Sequence, residues 1–144
     1  MKLLRVGIKG KEKPAVINKD GKIIDLSSII NDFNPDNLNH STINKIKNLN
    51  LLDLPEIQEK QRIGACVSNP GKFIGIGLNY SDHAAETGAK VPSEPIIFMK
   101  ATNSINGPND DIELEKGSKK LDWEVELGIV IGKETKNISE SDSK

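Results

Sequence analysis

The chain has 144 residues, which is enough for one modest domain with a hydrophobic core. Its 20 basic and 21 acidic residues nearly balance and only 3% of residues are aromatic, so neither nucleic acid nor an anionic membrane is an expected partner. No apolar run approaches the roughly 18 residues of a membrane-spanning helix. The single cysteine, Cys66, excludes an intrachain disulfide and fits a cytoplasmic protein.

The first part of the sequence predicts a small β-meander. Residues 3–8, 15–18 and 22–25 are short strand-forming segments, and Asp20-Gly21 favours a tight hairpin turn between the last two. Ser41 is then expected to cap a helix that carries an apolar stripe as far as about residue 49. Together these elements predict a small N-terminal domain over residues 1–68.

The pattern changes in the second predicted domain, residues 69–144. Phe73–Leu78 is a strand interrupted by glycines, and Ile96–Met99 is another apolar strand. Both are expected to be buried. Lys100 at the end of the second strand can anchor a substrate carboxylate, although a solvated strand end is the commoner meaning of such a lysine. Ile112–Leu114 predicts a further short strand.

Residues 81–86 have helical character and carry a histidine and a carboxylate. His83 and Glu86 are three positions apart, so they share one face of a helix and can form a hydrogen bond. A carboxylate that orients a histidine is the arrangement needed for a general acid or base. On spacing alone, an ordinary exposed helix pair is the favoured alternative.

Asp122–Gly132 is predicted to be a strand that enters a buried sheet. Alternation from Trp123 places Glu124 and Glu126 on one face, roughly 6.5–7 Å apart along the strand. Two carboxylates this close repel in a partly buried site unless a cation or protons lie between them, and Mg²⁺ is a natural partner. A solvated polar face on an edge strand is the alternative that periodicity alone favours.

The order of these segments closely resembles the fumarylacetoacetate hydrolase family. The resemblance is carried by Ile74–Glu86, Pro95–Thr102, Gly107–Asp110 and Asp122–Gly132. Residues 5–27 also resemble the small N-terminal domain of a bacterial branch whose members are labelled 2,4-diketo-3-deoxy-L-fuconate hydrolase or ureidoglycolate lyase. The resemblance implies a mainly β, α+β fold with short helices: a mixed β-sheet roll, usually dimeric, preceded by a small β domain.

The resemblance also implies a role for each candidate residue. Glu124 and Glu126 supply two ligands of a Mg²⁺ or Mn²⁺ ion. His83 and Glu86 form a dyad that activates water or moves a proton, and Lys100 contacts the substrate. The implied reaction is hydrolysis of a C–C bond in a 2,4-diketo acid of the acylpyruvate type, and the alternative within the same scaffold is ureidoglycolate lyase chemistry.

The third metal ligand of the family lies in a downstream motif similar to Val-Asn-Asp-Val-Ser, which this sequence lacks. Asp142 has no such context and is not assigned as that ligand. The chain is therefore expected to correspond to the N-terminal part of a family member, with the roll incomplete at its C-terminus and no activity alone. The non-enzymatic alternative is an inactive fragment that acts as the partner of a complementary C-terminal chain.

Overall fold

The computed structural model describes residues 1–58 and 60–143. This part of the chain forms, in order, β1 (Lys2–Val6), β2 (Lys13–Ile17), β3 (Ile23–Asp25), α1 (His40–Lys47), β4 (Phe73–Gly77), α2 (Ser81–Glu86) and β5 (Ile96–Lys100). Short 3₁₀ helices occupy Leu51–Asp53, Thr102–Ser104 and Glu140–Ser143. Strands with a few short helices confirm the predicted α+β class. No helix among the described residues is long and apolar enough to cross a membrane.

The first three strands form the predicted antiparallel meander, with β2 in the centre. The turn between β2 and β3 is held by Asn18, whose side-chain oxygen accepts hydrogen bonds from the backbone N–H groups of Asp20 and Lys22, both at 2.9 Å. Gly21 has a φ of +80°, a left-handed conformation that glycine adopts without strain. The predicted Asp-Gly turn is confirmed.

The hydrophobic core of the described chain lies against this meander. Its largest cluster joins side chains from β2, β3, α1 and the segments between them: Val16, Ile24, Leu26, Phe33 and Ile46. The helix α1 begins one residue before the predicted cap, because the side chain of Asn39 rather than Ser41 accepts the hydrogen bond from the Thr42 N–H. Asn and Ser are both good N-cap residues, and the sequence alone does not choose between them.

The strands β4 and β5 form a separate antiparallel pair, from Phe73 opposite Lys100 to Gly77 opposite Ile96. The prediction that these strands are buried is wrong, because every residue of β5 before Lys100 is exposed and Gly75 is the one buried residue of β4. Their apolar sequence fits a sheet covered by a further layer, and the described residues do not supply that layer.

The prediction of a buried strand over residues 122–132 is also wrong for the described chain. This segment belongs to no sheet, and its apolar side chains are exposed, with Trp123 at 80% and Ile131 at 75%. Residues 112–114 likewise form no strand. Alternating sequence makes a segment able to pair, but in the described chain neither segment pairs with the edge strands of the two sheets.

Candidate active site

Three of the residues singled out in the sequence line one cavity. His83, Glu124 and Glu126 border a space of about 230 Å³ at the end of the β4–β5 sheet, together with Tyr80 and Phe98. His83 comes from α2, whereas the two glutamates come from the unpaired segment after residue 120. The predicted metal-binding carboxylates and the predicted proton-transferring histidine therefore face the same space, although about 40 residues separate them in sequence.

A strained turn places His83 at this cavity. Leu78, directly after β4, has a φ of +49°, in the left-handed region that a residue with a Cβ seldom adopts. Leu78 lies in the short connection between β4 and α2, which begins three residues later at Ser81. Backbone strain of this kind costs about 1–3 kcal/mol and is found most often at functional sites. The turn lets β4 and α2 border the cavity together.

A hydrogen bond holds the glutamate-bearing segment at the cavity. The Leu127 N–H donates to the phenolic oxygen of Tyr80 over 2.8 Å. Leu127 directly follows Glu126, so the bond fixes the backbone beside one of the two carboxylates. Tyr80 has no role predicted from the sequence. The one signal for a role was its position just after β4, within the segment Ile74–Glu86 that resembles the family.

His83 and Glu86 lie on the same short helix, as predicted, but only His83 lines the cavity. Both residues are exposed, and no hydrogen bond or ion pair between their side chains is found in the described part of the chain. The helix is anchored by Ala84, which is fully buried. In this arrangement the imidazole faces the cavity without support from Glu86, so the dyad itself stays a prediction.

Lys100 lies next to the cavity without lining it. Its ammonium group sits 5.6 Å from the ring centre of Phe73 and 5.8 Å from that of Phe98. Both distances are within the range of a cation–π contact. Phe98 does line the cavity, so one ring separates the amine from the space where His83 and the glutamates meet.

A network of ion pairs joins the meander to the loop that follows β5; we refer to it as the charge network. Arg5 donates to both oxygens of Asp32, at 2.6 and 2.9 Å, and to Glu12 at 3.3 Å. Arg62 donates to the other oxygen of Glu12 at 2.7 Å and to both oxygens of Asp110. The network thus links Arg5 to Asp110 through ion pairs in which arginine and carboxylate side chains alternate.

The charge network was not predicted from the sequence, and it borders a second cavity of about 560 Å³. One signal was available: Arg5 interrupts an apolar strand, and an arginine there requires a carboxylate partner. The sequence does not show which carboxylate would pair with Arg5. Both guanidinium groups of the network already pair with carboxylates, so they are not free to bind a ligand in this cavity.

The charge network should make stability depend on acid pH. Burial opposes ionisation of Glu12 and Asp32, but hydrogen bonds and charge from Arg62 and Arg5 outweigh it and lower the pKa of each carboxyl. The hydrogen bond from Arg62 is the largest cause of the lowered pKa of Asp110. Stability from a lowered carboxyl pKa is present above the unfolded-state pKa and is lost as pH falls through the folded-state pKa.

We therefore expect the urea midpoint of unfolding to be constant above about pH 5 and to fall steadily toward about pH 3. The variant Glu12→Gln removes one of the titrating groups and should lose less of its remaining stability over that interval. A midpoint that stays constant or rises between about pH 5 and about pH 3 would contradict the role given to the network.

Gly107 allows the loop after β5 to reach the network. Its N–H donates to Asp110 at 2.9 Å, and a Cβ at this position would lie 2.5 Å from the backbone oxygen of Ile63. Since backbone cannot move aside as a side chain can, Gly107→Ala should push the loop away. We expect amide hydrogen exchange of residues 102–110 to become about tenfold faster. Gly128→Ala, whose Cβ would meet nothing within 4 Å, is the control and should leave that exchange unchanged.

Residues 72–144, slightly more than half of the chain, match the family model described as fumarylacetoacetate (FAA) hydrolase C-terminal. The chain belongs to the fumarylacetoacetate hydrolase family. It is 52% identical over 141 residues to a Burkholderia lata protein named "Putative hydrolase" and 50% identical over the same length to one of the same name from Burkholderia cenocepacia. Each alignment covers 98% of this chain and 50% of the relative.

A solved structure has a fold similar to that of this chain. The crystal structure of a "putative HpcE protein" from Mycobacterium smegmatis superposes with a TM-score of 0.61 and 27% sequence identity, covering 79% of this chain and 41% of that protein. The predicted family and fold are thus confirmed. The chain spans about half the length of the curated relatives that it matches.

Members of the fumarylacetoacetate hydrolase family generally use a divalent metal ion, and the residues present fit such an ion in kind. Glu124 and Glu126 offer the hard oxygen donors that Mg²⁺ and Mn²⁺ prefer, and both face the cavity. Two carboxylate ligands are too few for a complete metal site, and no group of three His, Cys, Asp or Glu side chains able to hold a metal occurs within residues 1–58 and 60–143. A further donor is needed for tight binding.

Proposed function

We propose that this chain supplies part of the active site of a divalent-metal-dependent hydrolase that cleaves a C–C bond in a 2,4-diketo acid of the acylpyruvate type. The supporting observation is the cavity that brings His83 together with Glu124 and Glu126. Family membership and the hydrolase names of the relatives agree with this reaction class.

Each residue has a distinct part in the proposed reaction. Glu124 and Glu126 hold Mg²⁺ or Mn²⁺, which when bound supplies Lewis-acid stabilisation of negative charge on the substrate oxygens. His83 takes a proton from water, and the water oxygen adds to the C4 carbonyl of the substrate. The C3–C4 bond then breaks, its electron pair passes to C3, and protonation there gives pyruvate beside the second carboxylic acid.

The two remaining candidates act through binding and orientation. Lys100 is expected to bind the substrate carboxylate, which requires its amine to leave the rings of Phe73 and Phe98. Glu86 is expected to orient His83, which requires its carboxylate to turn toward the imidazole along α2. Glu86 is exposed and Lys100 is half-buried, which leaves both side chains room to change rotamer.

The experiment uses a chimera in which residues 1–144 replace the matched half of the Burkholderia lata relative. We expect this chimera to release pyruvate from acetylpyruvate when Mg²⁺ is present, and the 144-residue chain alone to release none, because two carboxylates bind Mg²⁺ weakly. Glu124→Gln in the chimera should remove the Mg²⁺ dependence together with the turnover. Glu113→Gln, an exposed glutamate outside both cavities, is the matched control.

Two outcomes would reject the proposal. A folded chimera that releases no pyruvate from any acylpyruvate tested, but splits ureidoglycolate into glyoxylate and urea, would assign the lyase reaction instead. Turnover that Glu124→Gln leaves unchanged would show that the cavity is not where the reaction occurs.

A further inference from the structure

One face of the β4–β5 sheet consists of aliphatic side chains alone. Because β4 and β5 are antiparallel, Ile74 lies opposite Met99 and Ile76 lies opposite Ile97, and all four point to the same side. We refer to these four residues as the aliphatic face. Their side chains are between 38% and 66% exposed. A two-stranded sheet is marginally stable in water and normally buries at least one face.

A second surface near the cavity is equally unpartnered. Residues 121–131 expose nearly all of their apolar side chains, among them Trp123, Val125 and Ile129. In the described chain, the backbone N–H groups of this segment make two hydrogen bonds, one from Trp123 to the neighbouring Asp122 and one from Leu127 to Tyr80. An extended segment with free backbone groups and alternating side chains is ready to pair with another strand.

The aliphatic face is too small to be a whole interface by itself. Two strands about 4.8 Å apart and five residues long give a footprint of roughly 10 by 17 Å, or about 170 Å². A stable protein interface buries about 800 Å² on each partner, so two such faces would be far too small to hold a dimer. The occupant must therefore cover both the aliphatic face and residues 121–131.

The relatives indicate what this occupant is. This chain matches 50% of the Burkholderia lata protein, so that protein has about as many residues again that the chain does not match. We propose that the aliphatic face and residues 121–131 form one docking surface for a polypeptide with the sequence of that unmatched half. The partner packs apolar side chains on the aliphatic face and adds a strand to residues 121–131.

This inference goes beyond the proposed reaction, and its test requires no turnover. The unmatched half of the Burkholderia lata protein is produced as a separate polypeptide and mixed with the 144-residue chain. We expect a one-to-one complex by light scattering after size exclusion, and slower amide exchange at residues 74–76, 97–99 and 121–131. Exchange in the meander should not change.

A charged substitution tests whether the aliphatic face carries the contact. Ile97→Asp places a carboxylate at the centre of the proposed interface and should weaken the complex at least tenfold, because burying an unpaired charge is costly. Leu52→Asp is the matched control, since Leu52 is at least as exposed and lies in the N-terminal domain. It should bind like the unsubstituted chain, and both variants should unfold at the unsubstituted chain's temperature.

Three results would overturn the proposal. The first is a dimer of the 144-residue chain alone that Ile97→Asp disrupts, which would make a second copy the occupant. The second is a complex that Ile97→Asp leaves intact. The third applies if the separate half does not fold, when the covalent chimera is measured instead. The proposal fails if the amides of residues 74–76, 97–99 and 121–131 exchange as fast in the chimera as in the isolated chain.

Discussion

Replacing Glu12 with Gln should lower the free energy of unfolding by about 2 kcal/mol. The Glu12 side chain is 5% exposed and accepts hydrogen bonds from both Arg5 and Arg62. The neutral amide keeps the shape of the side chain but leaves two guanidinium groups without the charge between them. Breaking a deeply buried ion pair costs about 3–5 kcal/mol, and the adjoining cavity admits water that reduces this penalty.

The matched control for this substitution is Glu56→Gln. Glu56 forms an ion pair with Lys22 at 2.8 Å, but more than half of the lysine side chain is exposed. Exposed ion pairs contribute little to stability, so the same chemical change should have a small effect. Urea unfolding measured side by side for the two variants checks the prediction. Equal losses would show that burial of Glu12 adds nothing.

Replacing His83 with Ala in the chimera should reduce kcat by about 10²–10⁴-fold and leave KM within a few-fold. In the proposed reaction the imidazole moves a proton in the transition state and does not hold the substrate in the ground state. Because His83 is exposed on α2, its removal should not alter the fold. The measurement is pyruvate release at saturating Mg²⁺ over a range of substrate concentrations.

The second histidine of the sequence provides the control. His40 begins α1, is exposed and borders neither cavity, so His40→Ala should leave kcat unchanged. Imidazole added to the medium should restore part of the turnover of His83→Ala and none of that lost through Glu124→Gln. A variant His83→Ala that keeps full activity would remove His83 from the mechanism.

Features that depend on neighbouring residues were predictable from the sequence. The Asp20-Gly21 turn, the strands β4 and β5 and the helix α2 all occur where the pattern places them. Each is specified within a few residues by glycine conformation, alternation or helical spacing. Burial was not predictable in the same way, because alternation around Trp123 shows which side chains favour an interior but not whether this chain provides one.

In the candidate site, too, some residues were predictable from the sequence and the long-range contacts between residues were not. The resemblance selected His83, Glu124 and Glu126, and the structure places all three around one cavity. The Tyr80 hydrogen bond to Leu127 spans 47 residues, and the pairing of Arg62 with Asp110 spans 48. Contacts at such separations depend on the path of the whole chain, and no local pattern in one sequence reports them.

If Lys100 binds the substrate carboxylate as proposed, its position over two phenylalanine rings would make binding depend on the charge of the substrate. A carboxylate that recruits this amine must first replace cation–π contacts of about 0.5–1 kcal/mol, which weakens binding by a factor of about 2–5. A neutral analogue cannot compensate for that loss, whereas an anion can. The rings of Phe73 and Phe98 would therefore act as a filter that favours charged ligands over uncharged ones of the same shape.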